Sequence, residues 1–298
     1  MKILIVFLML ISTTRLFANQ CIPLNPQLGF SKANEKHIAA ICNRLLDCVI
    51  QEDSNQEVIH CKKKIPNYPK PVHFYIPANI NFDKEVQSFV HFHGHNIGRD
   101  HFYKTKTPGE GYGDYGDFLS KSKANGVLII PESDGNCSTY DSFFKSAQNT
   151  NAFFKDISSV LKTQASTVNL SGHSGAYRVL NQFAKHINEG SADELKKVQS
   201  FGLFDATYGS IEPIEKWMRA KKSTNQKYLF YDSFVSGPKA TASKISFELM
   251  KKYEANPSKN IIFKPVNDQK EKDSILLHFN VLRDGGLKKF FEASSSVM

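Results

Sequence analysis

The chain has 298 residues, 41% of them hydrophobic and 22% charged, which excludes a disordered or low-complexity protein and leaves room for one large α/β domain or two small ones. Its formal charge of +9 favours residence near anionic material such as cell-wall polymer or phospholipid headgroups. The lysines are scattered, however, in Lys62 to Lys64 and in pairs such as Lys196-Lys197 and Lys251-Lys252, and no nucleic-acid motif accompanies them. Solvated faces explain that pattern, and nucleic acid is not an expected partner.

The N-terminus opens with Met1-Lys2, runs through the apolar stretch 3–11 and reaches Phe17-Ala18 before Asn19. A charged start, a short apolar core and a small residue at the cut describe a signal peptide over residues 1–18, although Leu16 is larger than the residue preferred at its position. The run is too short to span a bilayer, and no other apolar run reaches that length. The expectation is an exported protein, secreted or periplasmic, with residues 19–298 as a single domain. Processing would remove Lys2 and Arg15 and so two of the positive charges.

Residues 19–64 read as a cysteine-bearing extension. A predicted helix over 35–50 carries Ile38, Ile41, Leu45, Leu46 and Val49 as its apolar stripe and holds both Cys42 and Cys48. Six residues of helix separate two side chains by about 9 Å along the axis, too far for a disulfide. Each cysteine therefore seeks Cys21 or Cys61, giving an N-terminal disulfide-bearing cap and leaving Cys137 as the free thiol. A possible strand, 57–61, ends the extension.

Beyond the breaker 65–71, with its three prolines, strands are predicted over 72–76 and 88–93. Residues 99–117 are polar, with four glycines around Tyr112 and Tyr115. A loop of that length inside a compact domain is usually functional or mobile, so these tyrosines are candidates to line or cover a substrate cleft. A helix over 118–125, a buried strand over 127–130 and a helix over 151–162 follow. Strands at 167–170, 198–204, 228–231 and 261–266 then alternate with helices from Val179 onward, over 211–221 and 242–253, and over 286–293. Strand–helix alternation over some two hundred residues predicts a mostly parallel sheet of eight strands with helices on both faces.

The stretch from Thr167 to Val179 organises the rest. A β-branched run meets the small-residue turn Gly172-His173-Ser174-Gly175-Ala176, and an amphipathic run with Val179, Leu180, Phe183, Ala184 and Ile187 follows at once. Strand, sharp turn and helix are the setting in which G-x-S-x-G presents a nucleophilic serine, here Ser174, with Ala176 where the usual pattern has glycine. With His93-Gly94 at the end of an earlier strand and a late His278, the order of elements over residues 70–293 resembles the α/β-hydrolase superfamily.

The resemblance implies a serine hydrolase, esterase- or peptidase-like, acting on a small-molecule or polymer acyl substrate without a cofactor. His278 stands where the base of that fold follows the last strand. The acid has two candidates. Asp232 ends the strand in the fold's usual place, whereas Asp205 ends the strand before it and enters a small-residue turn with room to reach His278; the local chemistry favours Asp205. The oxyanion-binding amides would be that of Gly175 and one from the loop after Gly94, His95 or Asn96. Two rivals remain open from sequence. His91, His93 and His95 alternate and could ligate a metal for a hydrolase using activated water, and a hydrolase scaffold can serve as a non-catalytic binding protein.

Overall fold

The computed structural model describes residues 41, 43–50, 58–94, 113–162, 167–220, 227–233, 248, 251–252, 261–266, 278, 281–282 and 286–295. Nine strands form one mixed sheet in the order β1-β2-β3-β5-β4-β6-β7-β8-β9. They are β1 (Val49–Ile50), β2 (Val58–Lys64), β3 (Pro71–Pro77), β4 (Gln87–Phe92), β5 (Gly126–Pro131), β6 (Thr167–His173), β7 (Val198–Phe204), β8 (Lys227–Ser233) and β9 (Ile261–Val266). The first three pair antiparallel and join β5 antiparallel, while the strands from β5 to β9 across the sheet run parallel. Helices are α1 (Gly113–Ser122), α2 (Ser138–Phe143), α3 (Ala147–Leu161), α4 (Tyr177–Glu189), α5 (Glu212–Ala220) and α6 (Gly286–Ser295).

β4, β5 and β6 are buried at every position because both their faces are covered, and β5 is apolar along its whole length. Alternation assigns the faces: Phe89, Leu128 and Ile130 pack with Leu119 of α1 and with Leu287, Phe290 and Phe291 of α6. Val90, Phe92, Ile129 and Leu170 pack on the other face with Phe153, Ile157, Phe183 and Trp217 from α3, α4 and α5. Each aromatic ring so buried contributes on the order of 2–3 kcal/mol. Polar side chains inside this core are paired. Asn169 donates to Gln87 at 3.0 Å, Ser200 donates to Asn169 at 2.5 Å, and Ser200 meets Ser294 of α6 at 3.0 Å. This ladder links three parallel strands to the last helix.

Three expectations change. The sheet has a ninth strand, β1, where a helix over 35–50 was predicted. Helical residues reach Arg44, Asp47 turns through a left-handed φ of 48°, and the β-branched Val49 and Ile50 pair with Lys62 and Cys61. Cys48 therefore lies outside any helix and forms a disulfide with Cys61; closing a loop of this size stabilises by about 3 kcal/mol in the chain-entropy picture. β1 and β2, the described strands of the extension, thus form the edge of the sheet, while Cys21 and Cys42 lie outside the described residues. Cys137 is a buried free thiol, pushed up to about 12 by its burial. Finally, α1 begins at Gly113, so Tyr115 belongs to a helix and not to a loop. Its ring is buried at 5.3 Å from that of His91.

The antiparallel part of the sheet holds a buried polar chain. The Nε2–H of His73 donates to Oε1 of Glu132 at 2.8 Å, which leaves Nδ1 to accept from Nε2–H of His60, also at 2.8 Å. Lys62 donates to the same carboxylate oxygen at 2.7 Å, and His60 stacks on Tyr75. Burial lowers His73 from 6.5 to about 4 against the opposing pull of Glu132. Burial would raise Glu132, but its hydrogen bonds from His73 and Lys62 prevail and hold it below its ordinary value. Near pH 5 the unfolded chain thus binds a proton at residue 73 that the folded chain refuses, so stability falls as pH drops from about 6.5 toward 4. Melting temperatures across pH 7.5 to 4.5 should decline through that window, and His73→Gln should make the decline shallower. An unchanged slope in the variant would remove His73 from the account.

Candidate active site

The chain leaves β4 through α1 to β5 on one side and leaves β5 through α2 and α3 to β6 on the other side of β4. Such a reversal opens a crevice at the carboxyl ends of the strands, where open α/β sheets bind ligands. Gly94 follows β4 there, and Ser174 follows β6.

Ser174 adopts φ 54°, a left-handed conformation that costs a non-glycine residue on the order of 1–3 kcal/mol. The turn tightens at once into a 3-10 segment, Ser174–Ala176, from which α4 starts. Small residues permit this. A Cβ on Gly172 would lie 3.0 Å from Cβ of Ala176 and 3.1 Å from Leu180, and a Cβ on Gly94 would collide with Cβ of Ser174 at 2.7 Å. The backbone of β4's end is thereby pressed against the serine. Amides in the first turn of a helix have no intrahelical acceptor, and Gly175 stands in that turn.

The end of β4 is fixed through His93. Its Nε2 accepts from the Ser133 amide at 3.0 Å, so its Nδ1 carries the proton and donates to the Gly94 carbonyl at 2.9 Å. The thiol of Cys137 donates to the His93 carbonyl at 3.4 Å. Tyr68 and Tyr140 anchor the neighbouring end of β5 by donating to the carbonyls of Glu132 and Pro131 at 2.7 and 2.5 Å.

Asp205 follows β7 and, like Ser174, has a left-handed backbone, φ 40°. Its carboxylate Oδ2 accepts a hydrogen bond from Nδ1 of His278, seventy-three residues further along the chain. The Tyr208 hydroxyl lies 3.2 Å from the same Oδ2 and 3.3 Å from Nδ1 of His278. At 39% exposure Tyr208 covers the pair from the solvent side. His278 is half-buried, and its ring lies 4.3 Å from that of His173, the residue before Ser174.

The structure therefore gathers Gly94, Ser174, Gly175, Asp205 and His278 at one edge of the sheet. Asp232 lies in β8, its backbone opposite Pro265 of β9. His95, Asn96 and Tyr112 lie outside the described residues. The two described members of the histidine run have protein partners: both nitrogens of His93 are engaged as above, and Nδ1 of His91 is 2.9 Å from the Ser171 hydroxyl. His91 is fully buried, and burial, with His173 and His93 nearby, keeps it neutral well below the usual range. Among the described residues no group of three metal-ligating side chains converges. Sequence reasoning missed Tyr208, whose signal was its place three residues after Asp205 in a small-residue turn, and it left His173 without a role.

No family model and no curated protein matches the chain in sequence. Solved structures do match in shape. An S-formylglutathione hydrolase from Agrobacterium tumefaciens superposes with a TM-score of 0.51 at 12% identity, covering 83% of this chain and 99% of that one. A feruloyl esterase module from Clostridium thermocellum, complexed with sinapinate, gives 0.47 at 12% identity over 84% and 95% of the two chains. A thermostable esterase from Pseudomonas putida gives 0.45 at 12% over 91% and 92%. The first of these, with the strand order and the turn after β6, shows that this chain has the α/β-hydrolase fold.

Proposed function

We propose that the protein is an exported serine hydrolase that cleaves carboxylic esters or related acyl bonds. The observation that carries this reading is the Asp205–His278 hydrogen bond standing beside a serine held at φ 54° on a strand-to-helix turn. Serine is a weak nucleophile at neutral pH and needs a base. With Nδ1 committed to Asp205, Nε2 of His278 takes the proton as Ser174 Oγ attacks the acyl carbon. The buried carboxylate fixes the imidazole tautomer and stabilises the imidazolium. The amides of Gly175 and of His95 or Asn96, beyond Gly94, receive the charge that develops on the carbonyl oxygen. The leaving group departs with the proton from His278, and water repeats the sequence to release the acid. S-formylglutathione, named for the structural neighbour, is an acyl thioester, which supports an acyl substrate. The positive charge of the chain supports a polymer or small molecule of the anionic envelope as the setting.

Ser174→Ala should lower hydrolysis of an activated ester by roughly 10⁴-fold or more while leaving the melting temperature close to the parent's. A fluorophosphonate probe should label the parent at Ser174 and leave the variant unlabelled. Activity that survives in the variant but disappears with a chelator would instead establish a metal hydrolase, and a folded parent with neither labelling nor activity would establish a binding protein.

The two aspartates separate by kinetics. Asp205→Asn should cost about 10³–10⁴-fold in kcat/KM, because an asparagine holds the wrong tautomer and supplies no charge. Asp232→Asn should cost less than about tenfold. The reverse order would transfer the acid to Asp232. Export is tested separately: the N-terminus of the mature protein should be Asn19, and a chain that keeps Met1 in its native host would refute the leader.

A further inference from the structure

We infer that His173, the residue between Gly172 and Ser174 in the turn after β6, is a positioning residue for His278. The inference rests on the reading of His278 as the base. His173 ends β6, is fully buried, and its Nε2 lies 2.8 Å from the backbone carbonyl oxygen of His278. A carbonyl only accepts, so Nε2 carries the proton and donates. The two rings also lie against each other at 4.3 Å, inclined by 38°. The nucleophile's strand is thus bonded to the backbone of the residue that bears the base, across 105 positions of sequence.

Asp205 and Tyr208 meet the imidazole at Nδ1 and fix the ring's rotation. The backbone of residue 278 is helical, with Val281 and Leu282 buried in the core beyond it. The His173 bond fixes the backbone end, and two points of attachment define where Nε2 stands relative to the serine next to His173. A displacement of about 1 Å in such a group can cost on the order of 100-fold in rate.

The surroundings suit the task. A Cβ on Gly94 would lie 3.1 Å from Nδ1 of His173, so the imidazole also forms the wall behind the end of β4. Burial, with His278 beside it, lowers His173 from 6.5 to about 3. It stays neutral throughout the range in which a histidine base works, and it places no competing cation beside an imidazolium that forms during the reaction.

The test compares the parent with His173→Gln and His173→Asn. The glutamine amide reaches about as far as Nε2 of histidine and can donate to the same carbonyl; the asparagine amide is one bond shorter and cannot. Two readouts are taken on each folded protein: the downfield proton resonance of the His278 Nδ1–H held by Asp205, and kcat and KM for an activated ester. With asparagine the resonance should broaden or vanish and kcat should fall by about 10–100-fold with KM within about twofold. Glutamine should restore both in large part. A resonance that is unchanged in His173→Asn overturns the inference whatever the activity, and glutamine failing as badly as asparagine, at equal melting temperature, overturns it in favour of ring packing alone. If the resonance follows the inference but the parent neither hydrolyses the ester nor reacts with fluorophosphonate, the tether stands and the hydrolase reading falls.

Discussion

The parallel register of β4 and β6, from Gln87 against Thr167 to Phe92 against Gly172, sets two strand ends level at the place where strand order reverses. Everything at the crevice follows from that pairing. Level ends put Gly94 beside Ser174 at a distance that leaves no room for a single methyl group. A shift of the register by one residue would turn the inward side chains outward on both faces, burying the serine's strand wrongly and opening that contact. The register is held from below by the Gln87–Asn169–Ser200–Ser294 ladder and from both faces by aromatic packing, so the geometry at the top is set by the base of the sheet.

Rigidity of this kind is what sustains backbone strain. Ser174 and Asp205 both sit in the left-handed region, on adjacent parallel strands, and each would relax if its neighbours let it. They do not, because Phe204, Ala206, Gly175 and Ala176 around them are buried and packed. Polar groups in the same region follow a common rule. His91 and His173 are kept neutral by burial, and His93 meets an acceptor and a donor on its two nitrogens, so these three imidazoles bring hydrogen bonds without charge to the interior, and the buried carboxylate there, Asp205, is hydrogen-bonded to His278.

Much of this was legible in the sequence, and for identifiable reasons. The elbow announces itself because three constraints coincide within a dozen residues: a β-branched run, small residues at fixed offsets and a helical apolar stripe. β5 is legible as a short unbroken apolar run, since a strand covered on both faces need not alternate, and the other parallel strands are legible from apolar and β-branched residues bounded by turn residues. The small turn after Asp205 points to a carboxylate with room to reach across, and the Asp205 carboxylate does meet His278. What escaped is local structure decided by distant partners. Val49 and Ile50 fit a helical stripe as well as a strand, and only their pairing with β2 decides. Tyr115 sits among glycines that read as loop, yet its ring packs on His91, a contact that no local pattern encodes. The short helix α2 lacks a periodic signature because six residues are too few to show one. Tyr208 and His173 carry their contacts to a residue at least seventy positions away, beyond any motif.

The order of the site's parts along the chain has a consequence for synthesis. The elbow and Asp205 belong to adjacent strands and can pack as soon as residue 204 or so has emerged, whereas His278 comes after β9, and α6 comes later still. Until α6 seals its face of the sheet through Phe290, Phe291 and Ser294, nothing completes the wall against which the helical residues around His278 rest. A growing chain, or one clipped before residue 278, would therefore display a formed serine turn without the imidazole that the longer chain brings beside it. The helix α6 is in that sense a latch, closing over a face of the sheet whose earlier parts are already in place.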